Sequence, residues 1–227
     1  MIGTPDPARW TEQEPERFGL MSGYAWRTDP KHVLFTLARY KFVAQMLAGR
    51  DRVLEIGCGD AFGTRLVADV TRVCVTAIDL DPMMLASGRD QTRAWGMFPK
   101  IDIHRHNIVT DGPVQGHDAA YAIDVLEHIH PADDQAFMTA AAHSITPDGT
   151  LILGTPSAES QGHASEPSKE GHINCKTQAQ LRELCAKHFK TVFMFGQNDE
   201  VIHTGFGPMC HYLWAVCVTP RYWVRTR

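Results

Sequence analysis

A glycine-containing turn directly after an apolar strand is the first feature of this chain that indicates chemistry. Residues 53–64 read Val-Leu-Glu-Ile-Gly-Cys-Gly-Asp-Ala-Phe-Gly-Thr. Glycines such as Gly57 and Gly59 let the backbone adopt positive φ and let a ligand approach closely, as in nucleotide-type sites of open α/β sheets. Glu55 precedes them, and its charge would repel a pyrophosphate but attract a cationic amino group. The spacing GxGxxxG also differs from the GxGxxG of dinucleotide sites.

A second carboxylate, Asp79, ends the next apolar run, 20 residues after Gly59. Open α/β sheets bind ligands outside the carboxyl ends of their strands, where an acid can accept hydrogen bonds from both hydroxyls of a ribose. The alternative is that Asp79 only caps the following helix. Asp81 is better placed for that role, because Pro82 follows it at the first helical position.

The elements that must position these residues alternate between strand and helix. Apolar runs predict strands over residues 52–56, 73–78, 101–105, 118–123, 150–154, 190–196 and 211–218. Periodicity and capping residues predict helices over residues 30–48, 62–69, 131–144 and 178–187, and another that begins at Pro82. We therefore expect an α/β fold with a Rossmann-like doubly wound sheet, mostly parallel with an antiparallel C-terminal strand.

Composition and charge limit the classes of function. The chain has 227 residues, of which 44% are hydrophobic, and its formal net charge of −4 offers no basic field for nucleic acid. No apolar run is long enough to span a membrane, and Met1–Trp10 lack the features of a signal peptide. The six cysteines include no CxxC pair, which favours reduced thiols. We expect a cytoplasmic protein that binds a small molecule and neither nucleic acid nor membrane, with its oligomeric state open.

Residues 53–64 resemble the first motif of the class I S-adenosylmethionine-dependent methyltransferases, and the likeness extends from about residue 50 to residue 157. The resemblance implies S-adenosylmethionine as the cofactor. It implies that Glu55 holds the methionyl end and that Gly57 and Gly59 make room for it. It further assigns the ribose hydroxyls to Asp79.

The same resemblance extends to other cofactor contacts. It places Leu80 beside the adenine, Asn107 near the adenine amino group and Asp124 beside the methionyl portion. Asn107 stands near a position where the family often has an aspartate. A plain turn residue is the alternative there, although an asparagine carbonyl can still accept the hydrogen bond.

The segment Ile123–Ile129 resembles the Leu-Glu-His segment common in methyltransferases that act on small molecules. The resemblance implies that His128 faces the acceptor, where a neutral imidazole can remove a proton from a hydroxyl or an amine. Simple packing of His128 is one alternative. Another is a divalent ion held by Asp124, Glu127 and His128, because some relatives with a comparable pattern use one. Our prediction is a catalytic His128 and no metal.

Polar residues outside the cofactor half supply the candidate acceptor site. The candidates are Tyr24, Lys169, His172, Asn174 and His203. Lys169 would bind an anionic acceptor if two of Arg39, Lys41 and Arg65 converge with it. A site formed by His172, His203 and His211 matches no standard zinc spacing. The organisation we expect is an N-terminal arm over the site, residues 1–29, and one domain, residues 30–227, with an acceptor-binding insert near residues 157–176.

The predicted function is methyl transfer to an oxygen or a nitrogen of a polar small molecule. The late segment resembles uncharacterised methyltransferases linked to surface-polysaccharide biosynthesis, which implies a sugar, a nucleotide-sugar or a phosphorylated acceptor. Two alternatives remain open from the residues. One is an NAD-type oxidoreductase on a related fold, and the other is a non-catalytic protein that binds S-adenosylmethionine.

Overall fold

Eight strands form a single sheet within residues 15–221, the part of the chain that the computed structural model describes. In chain order they are β1 (Arg52–Ile56), β2 (Cys74–Asp79), β3 (Ile101–Arg105), β4 (His117–Ile123), β5 (Ile145–Pro156), β6 (Phe189–Asn198), β7 (Val201–His203) and β8 (Tyr212–Pro220). Their spatial order is β3-β2-β1-β4-β5-β8-β6-β7. Strands β1 to β5 pair in parallel, and β8 runs antiparallel between β5 and β6. The predicted fold class is confirmed.

Helices cover both faces of this sheet. Seven α-helices lie within the described residues: α1 (Leu20–Thr28), α2 (Pro30–Met46), α3 (Phe62–Thr71), α4 (Pro82–Ala94), α5 (Asp134–His143), α6 (Glu166–Gly171) and α7 (Gln178–His188). Two of the predicted capping residues, Asp81 and Thr177, act as expected, whereas Asp29 precedes α2 without a capping hydrogen bond from its side chain. Asp81 accepts the amide of Met83 at 2.7 Å and begins α4, and Thr177 forms a capping box with Gln180 at the start of α7. None of the helices in residues 15–221 is long and apolar enough to cross a lipid bilayer.

The core is divided by the sheet into two apolar clusters. Val53 of β1 packs in one cluster and Leu54 in the other, as the alternation of side chains along a strand requires. Trp214 of β8 is fully buried in the first cluster and Phe137 of α5 in the second. Because both faces are packed, the strand ends are held rigidly relative to one another. The carboxyl ends of β1, β2 and β4 therefore present their residues at one fixed edge.

Four elements differ from the prediction, and one of them is α6, where no helix was predicted. Strand β5 is longer than expected, because it pairs with β4 from Ile145 and with β8 as far as Pro156. Helix α1 was not predicted, since Ser22 is its only buried residue and its sequence shows no clean apolar period. Strand β7 is three residues long and partly exposed, which leaves no pattern in the sequence. The first half of the predicted arm, residues 1–14, lies outside the described residues.

Candidate active site

A cavity of about 880 Å³ lies along the carboxyl ends of the parallel strands. The loop after β1 and the end of β2, with Asp79, border one part of it. The 3₁₀ turn Leu126–His128 after β4 and the segment after β5 border the other part. Met21 and Ser22 of α1 also line it, so this helix borders the cavity, and the predicted role of the N-terminal arm as a cover of the site stays a prediction. We call these two parts the cofactor end and the acceptor end.

The loop after β1 requires its glycines. Gly57 has φ of 79° and Gly59 has φ of 52°, both in the left-handed region that favours glycine. A Cβ atom at Gly57 would lie 2.3 Å from Cγ2 of Val125, and one at Gly59 would lie 2.8 Å from Cε of Met21. The turn is therefore as tight as the sequence predicts. The contact of these glycines with a cofactor stays a prediction.

Glu55 lies behind this loop. It is 1% exposed and is not among the residues that line the cavity. Its carboxylate accepts hydrogen bonds from Tyr40 Oη at 3.1 Å and Thr64 Oγ1 at 2.5 Å, which fastens α2 and α3 to β1. Burial raises the pKa of Glu55 to about 7. The carboxylate is turned into the protein and supports the loop from below, and its predicted contact with the cofactor's amino group stays a prediction.

Asp79 lies at the tip of β2 and lines the cavity, as predicted. Its Oδ2 accepts the amide of Gly59 at 2.8 Å, and its Oδ1 accepts the amide of Asp81 at 2.9 Å. Each carboxylate oxygen keeps a further lone pair for a ligand, so the backbone orients the group without saturating it. Leu80 is 55% exposed beside it and also lines the cavity, in keeping with a predicted adenine contact.

Asn107 follows β3 and lines the cavity. Its Oδ1 already accepts the amide of Val109 at 3.0 Å, and its own amide donates to Asp111 Oδ2 at 2.9 Å. The side chain therefore has the local turn geometry that was the alternative interpretation. Its predicted bond to an adenine amino group would have to use the second lone pair of Oδ1.

Asp124 lies at the end of β4 in an unusual backbone conformation, with φ of 56°. Its amide donates to Gly154 O at 3.1 Å, and its Oδ2 accepts Nη1 of Arg39 at 2.7 Å. Arg39 is 12% exposed and also stacks over the ring of Tyr212, with 3.9 Å from Cζ to the ring centroid. The arginine therefore neutralises Asp124 in the middle of the cavity, and it does not converge with Lys169.

The turn after β4 carries Glu127 and His128 to the acceptor end. Glu127 is fully buried, and its Oε2 accepts Thr155 Oγ1 at 3.1 Å. Burial, followed by the nearby charge of Asp124, raises the pKa of Glu127 to about 8. Its Oε1 is buried without a hydrogen-bond partner.

His128 and His172 face each other, with ring centroids 5.3 Å apart. His128 Nδ1 lies 2.9 Å from Gly171 O, and His172 Nδ1 lies 3.0 Å from Gln161 Oε1. Burial, followed by the proximity of His128, lowers the pKa of His172 and favours its neutral form. The segment after β5 therefore brings His172 next to His128, although the two predicted residues are 44 positions apart in the sequence.

Four predicted acceptor residues are not brought to the cavity. Tyr24 is 71% exposed, and Lys169 pairs with Glu166 at 2.8 Å. His203 lies on the edge strand β7, where its Nδ1 accepts the amide of Gly205 at 2.9 Å. Asn174 is buried and holds the segment after β5 in place. Its amide group donates to Asp134 Oδ1 at 2.7 Å, and its backbone amide donates to Glu127 O at 3.0 Å.

Several histidines to which the sequence analysis gave no role lie at the cavity beside the predicted His128 and His172. Seven of the twelve histidines line the cavity: His32, His106, His128, His130, His163, His172 and His211. The high histidine content was the available signal. Periodicity could not locate them, because they come from α2, from turns and from loops rather than from one element.

The comparisons with known proteins agree with this fold. Residues 53–149 match the family described as a methyltransferase domain. A protein of Mycolicibacterium smegmatis named "Probable S-adenosylmethionine-dependent methyltransferase" is 33% identical over 119 residues, which are 52% of this chain and 42% of that protein. A ubiquinone biosynthesis O-methyltransferase of Xanthomonas campestris is 27% identical over 148 residues, which are 63% of this chain and 61% of that protein. The chain thus spans about two fifths of the length of the mycobacterial relative.

Solved structures resemble the whole sheet. The methyltransferase domain of bacterial CtHen1-C superposes with a TM-score of 0.66 at 19% identity, over 82% of this chain and 98% of that one. At that identity the likeness concerns the fold alone. The family match lies within the same fold, where it begins in β1 and includes the glycine loop and Asp79. Residues 53–149 are therefore similar to a methyltransferase domain, and they lie within a sheet that has the fold of a solved methyltransferase domain.

Proposed function

We propose that this protein transfers a methyl group from S-adenosylmethionine to an oxygen or a nitrogen of a polar small molecule bound at the acceptor end. The observation that supports this most strongly is the single cavity, which joins the glycine loop and Asp79 to His128 and His172. A methyl donor and its acceptor must share one enclosed space to react in line. The domain family supplies the cofactor class.

The residues of the cofactor end fit the proposed cofactor. S-Adenosylmethionine supplies a methyl group that its sulfonium already activates. Asp79 is preoriented by two backbone amides to accept ribose hydroxyls, and Leu80 offers an apolar surface beside it. Gly57 and Gly59 leave room at the loop, where any side chain would collide with neighbouring residues. Helix α1 covers this end and excludes water.

His128 is the residue that we assign to the acceptor's proton. The carbonyl of Gly171 can only accept a hydrogen bond, so Nδ1 of a neutral His128 carries the proton and Nε2 keeps its lone pair. An imidazole in this tautomer can assist the loss of a proton from an attacking hydroxyl or amine. His128 lines the cavity, and its tautomer is fixed by the fold.

The charge of the acceptor end favours a neutral polar acceptor such as a sugar. Arg39 is the only arginine or lysine among the described residues that line the cavity, and Asp124 already neutralises it. A phosphorylated acceptor would therefore lack a free cation, whereas histidines, Ser160 and Gln161 suit hydroxyl groups. Oxygen is the favoured atom, because the Xanthomonas relative is named an O-methyltransferase. Residues 157–176 supply several of these contacts and act as the acceptor-binding insert.

Calorimetric titration with S-adenosylhomocysteine and, separately, with NAD⁺ tests the cofactor. Binding of S-adenosylhomocysteine alone is the expected result. Binding of NAD⁺ alone would favour an oxidoreductase. A methyl-transfer assay with labelled S-adenosylmethionine and a panel of sugars, nucleotide-sugars and phenols then tests turnover. Product formation on one hydroxylated class supports the proposal, and cofactor binding without turnover on any class would favour a non-catalytic protein.

A further inference from the structure

We propose that Glu127, His128 and His172 bind a divalent cation at the acceptor end, with Zn²⁺ the best match. One ligand atom from each of these residues lies within 4.8 Å of the other two. All three residues line the same part of the cavity. This proposal departs from the sequence prediction of a site without metal, and it makes His172, distant in sequence, the third ligand.

The two histidines are already oriented as metal ligands are. A ligating histidine usually donates its second ring N–H to a carbonyl or carboxylate oxygen, which fixes the tautomer and the direction of the free nitrogen. His128 does this through Nδ1 to Gly171 O, and His172 through Nδ1 to Gln161 Oε1. Both therefore present Nε2 with its lone pair. Gly171 ends α6, whereas Gln161 lies in a 3₁₀ turn ten residues earlier, so the arrangement is not a consequence of one local turn.

Glu127 supplies the negative charge. Thr155 holds its Oε2 at 3.1 Å, while its Oε1 is buried and has no hydrogen-bond partner. A buried carboxylate oxygen of this kind is costly unless a proton or a cation accompanies it. Arg39 is the only arginine or lysine among the described cavity residues, and its guanidinium is already paired with Asp124 at 2.7 Å. A divalent ion at Oε1 would complete the charge balance of this end.

The ligand set distinguishes between cations. Two imidazoles and one carboxylate suit Zn²⁺, whereas Mg²⁺ prefers oxygen ligands and retains several waters. Three protein ligands with an open fourth position are typical of catalytic zinc sites rather than structural ones. The atoms must close from 4.8 Å to the shorter separations of a site with bonds of about 2.0–2.1 Å. We expect rotations of the His128 and His172 side chains to bring the atoms together when the ion binds.

The open position faces the space where the acceptor binds. A hydroxyl group on that position loses its proton more readily, because the cation stabilises the oxyanion. This consequence rests on the proposed methyl transfer, whereas the binding of the ion itself does not. His128 would then promote proton loss through the ion that it holds, and the proton would pass to solvent water rather than to the imidazole nitrogen.

Competition with a chromogenic chelator, using Zn²⁺ alone as the probe, tests the site in the full chain. We expect one Zn²⁺ per chain in the wild type and a loss of affinity of at least about 100-fold in His172→Ala and Glu127→Gln. Gln161→Ala, which removes only the support of His172, should lose roughly 10- to 100-fold. His163→Ala is the matched control, because His163 lines the same cavity but lies outside the cluster.

Two further readouts keep the outcomes separate. Co²⁺ in place of Zn²⁺ should give a visible spectrum without a thiolate charge-transfer band, which excludes binding through a cysteine such as Cys175. Each variant is also titrated with S-adenosylhomocysteine, which reports folding and cofactor binding. Equal Zn²⁺ affinity in the wild type and His172→Ala, or no Zn²⁺ binding by the wild type, would overturn the cation site. Zn²⁺ binding without binding of S-adenosylhomocysteine would instead count against the proposed methyl transfer.

Discussion

At the cofactor end of the cavity, backbone amides orient the candidate binding residue. At the acceptor end, the candidate residues come from different segments of the chain and are oriented by tertiary contacts. The loop after β1 and the tip of β2 hold Asp79 through the amides of Gly59 and Asp81. By contrast, His128 and His172 are oriented by Gly171 and Gln161, which lie in the segment after β5. Changes at the cofactor end should therefore alter cofactor affinity, and changes at the acceptor end should alter turnover.

The largest expected effect is that of His128→Ala at the acceptor end. Turnover should fall by roughly 10²- to 10⁴-fold, because the group that promotes loss of the acceptor's proton is removed. The affinity for S-adenosylhomocysteine should not change, since His128 lies beyond the cofactor end. Steady-state kinetics and calorimetry on one preparation measure both quantities.

His203→Ala is the matched control for that experiment, because His203 lies on the edge strand β7 and does not line the cavity. It should keep wild-type turnover. If His128→Ala turned over its acceptor at the wild-type rate, or if His203→Ala were the slow variant, the division of the cavity that we describe would be wrong.

Glu55 predicts a pH dependence of stability at the cofactor end. Burial raises its pKa from 4.5 to about 7, so the folded protein retains a proton that the unfolded chain releases. The contribution of Glu55 to the free energy of unfolding should therefore be greatest below pH 4.5. It should fall by up to about 3 kcal/mol as the pH rises towards 7. Urea unfolding of the protein without cofactor, at several pH values, measures this slope.

Glu55→Gln isolates the contribution of that carboxyl group. The amide keeps an acceptor for Tyr40 or Thr64 but cannot ionise. In the variant, the free energy of unfolding should still change with pH because of the other titrating groups. The part of this change that is due to Glu55 should disappear. Identical slopes in the wild type and the variant would show that the carboxylate is not held in the buried state described here.

The sequence was sufficient to predict where the glycine turn and Asp79 lie, because the residues that determine their positions are close together in the chain. Strand β1, the glycine turn and the Asp81 cap are each encoded within a few adjacent residues, and parallel pairing then brings Asp79 beside the turn. The sequence did not predict the hydrogen bonds of Glu55, since the direction of a side chain at a strand end depends on partners such as Tyr40, 15 residues away.

The acceptor end could not be derived in the same way. Whether a histidine reaches the cavity depends on how the segment after β5 folds back, and Asn174 secures that segment to Glu127 O across the turn. His172 and His203 looked equivalent in the sequence. The structure separates them, because His172 follows α6 at the cavity while His203 belongs to a hairpin at the far edge of the sheet.

Asp79→Asn tests the cofactor end with a smaller expected effect. The binding of S-adenosylhomocysteine should weaken by about 1–3 kcal/mol, because the variant loses the charge-assisted hydrogen bonds from the ribose hydroxyls to the carboxylate. Turnover at saturating cofactor should change little. Asp102→Asn on β3 is the control, since that carboxylate pairs only with the half-exposed His104. Equal dissociation constants for Asp79→Asn and the wild type would remove Asp79 from the cofactor contacts.

The smallest effect concerns the helix that covers the cofactor end. Ser22 donates to Asp60 Oδ2 through both its amide and its Oγ, each at 2.8 Å, and this fastens α1 over the glycine loop. Ser22→Ala removes one of these two hydrogen bonds. It should favour the state in which α1 has moved away from the glycine loop by about 0.5–1.5 kcal/mol. Release of S-adenosylhomocysteine, followed by stopped flow, should become roughly 2- to 12-fold faster.

Thr28→Ala provides the matched comparison on the same helix, because Thr28 Oγ1 bonds to Tyr24 O within α1 and leaves the link to Asp60 intact. It should release the ligand at the wild-type rate. If both variants released the ligand equally fast, helix α1 would influence the cofactor only through its general stability. If neither differed from the wild type, opening of α1 would not limit release, and the cofactor end would owe its affinity to β1 and β2 alone.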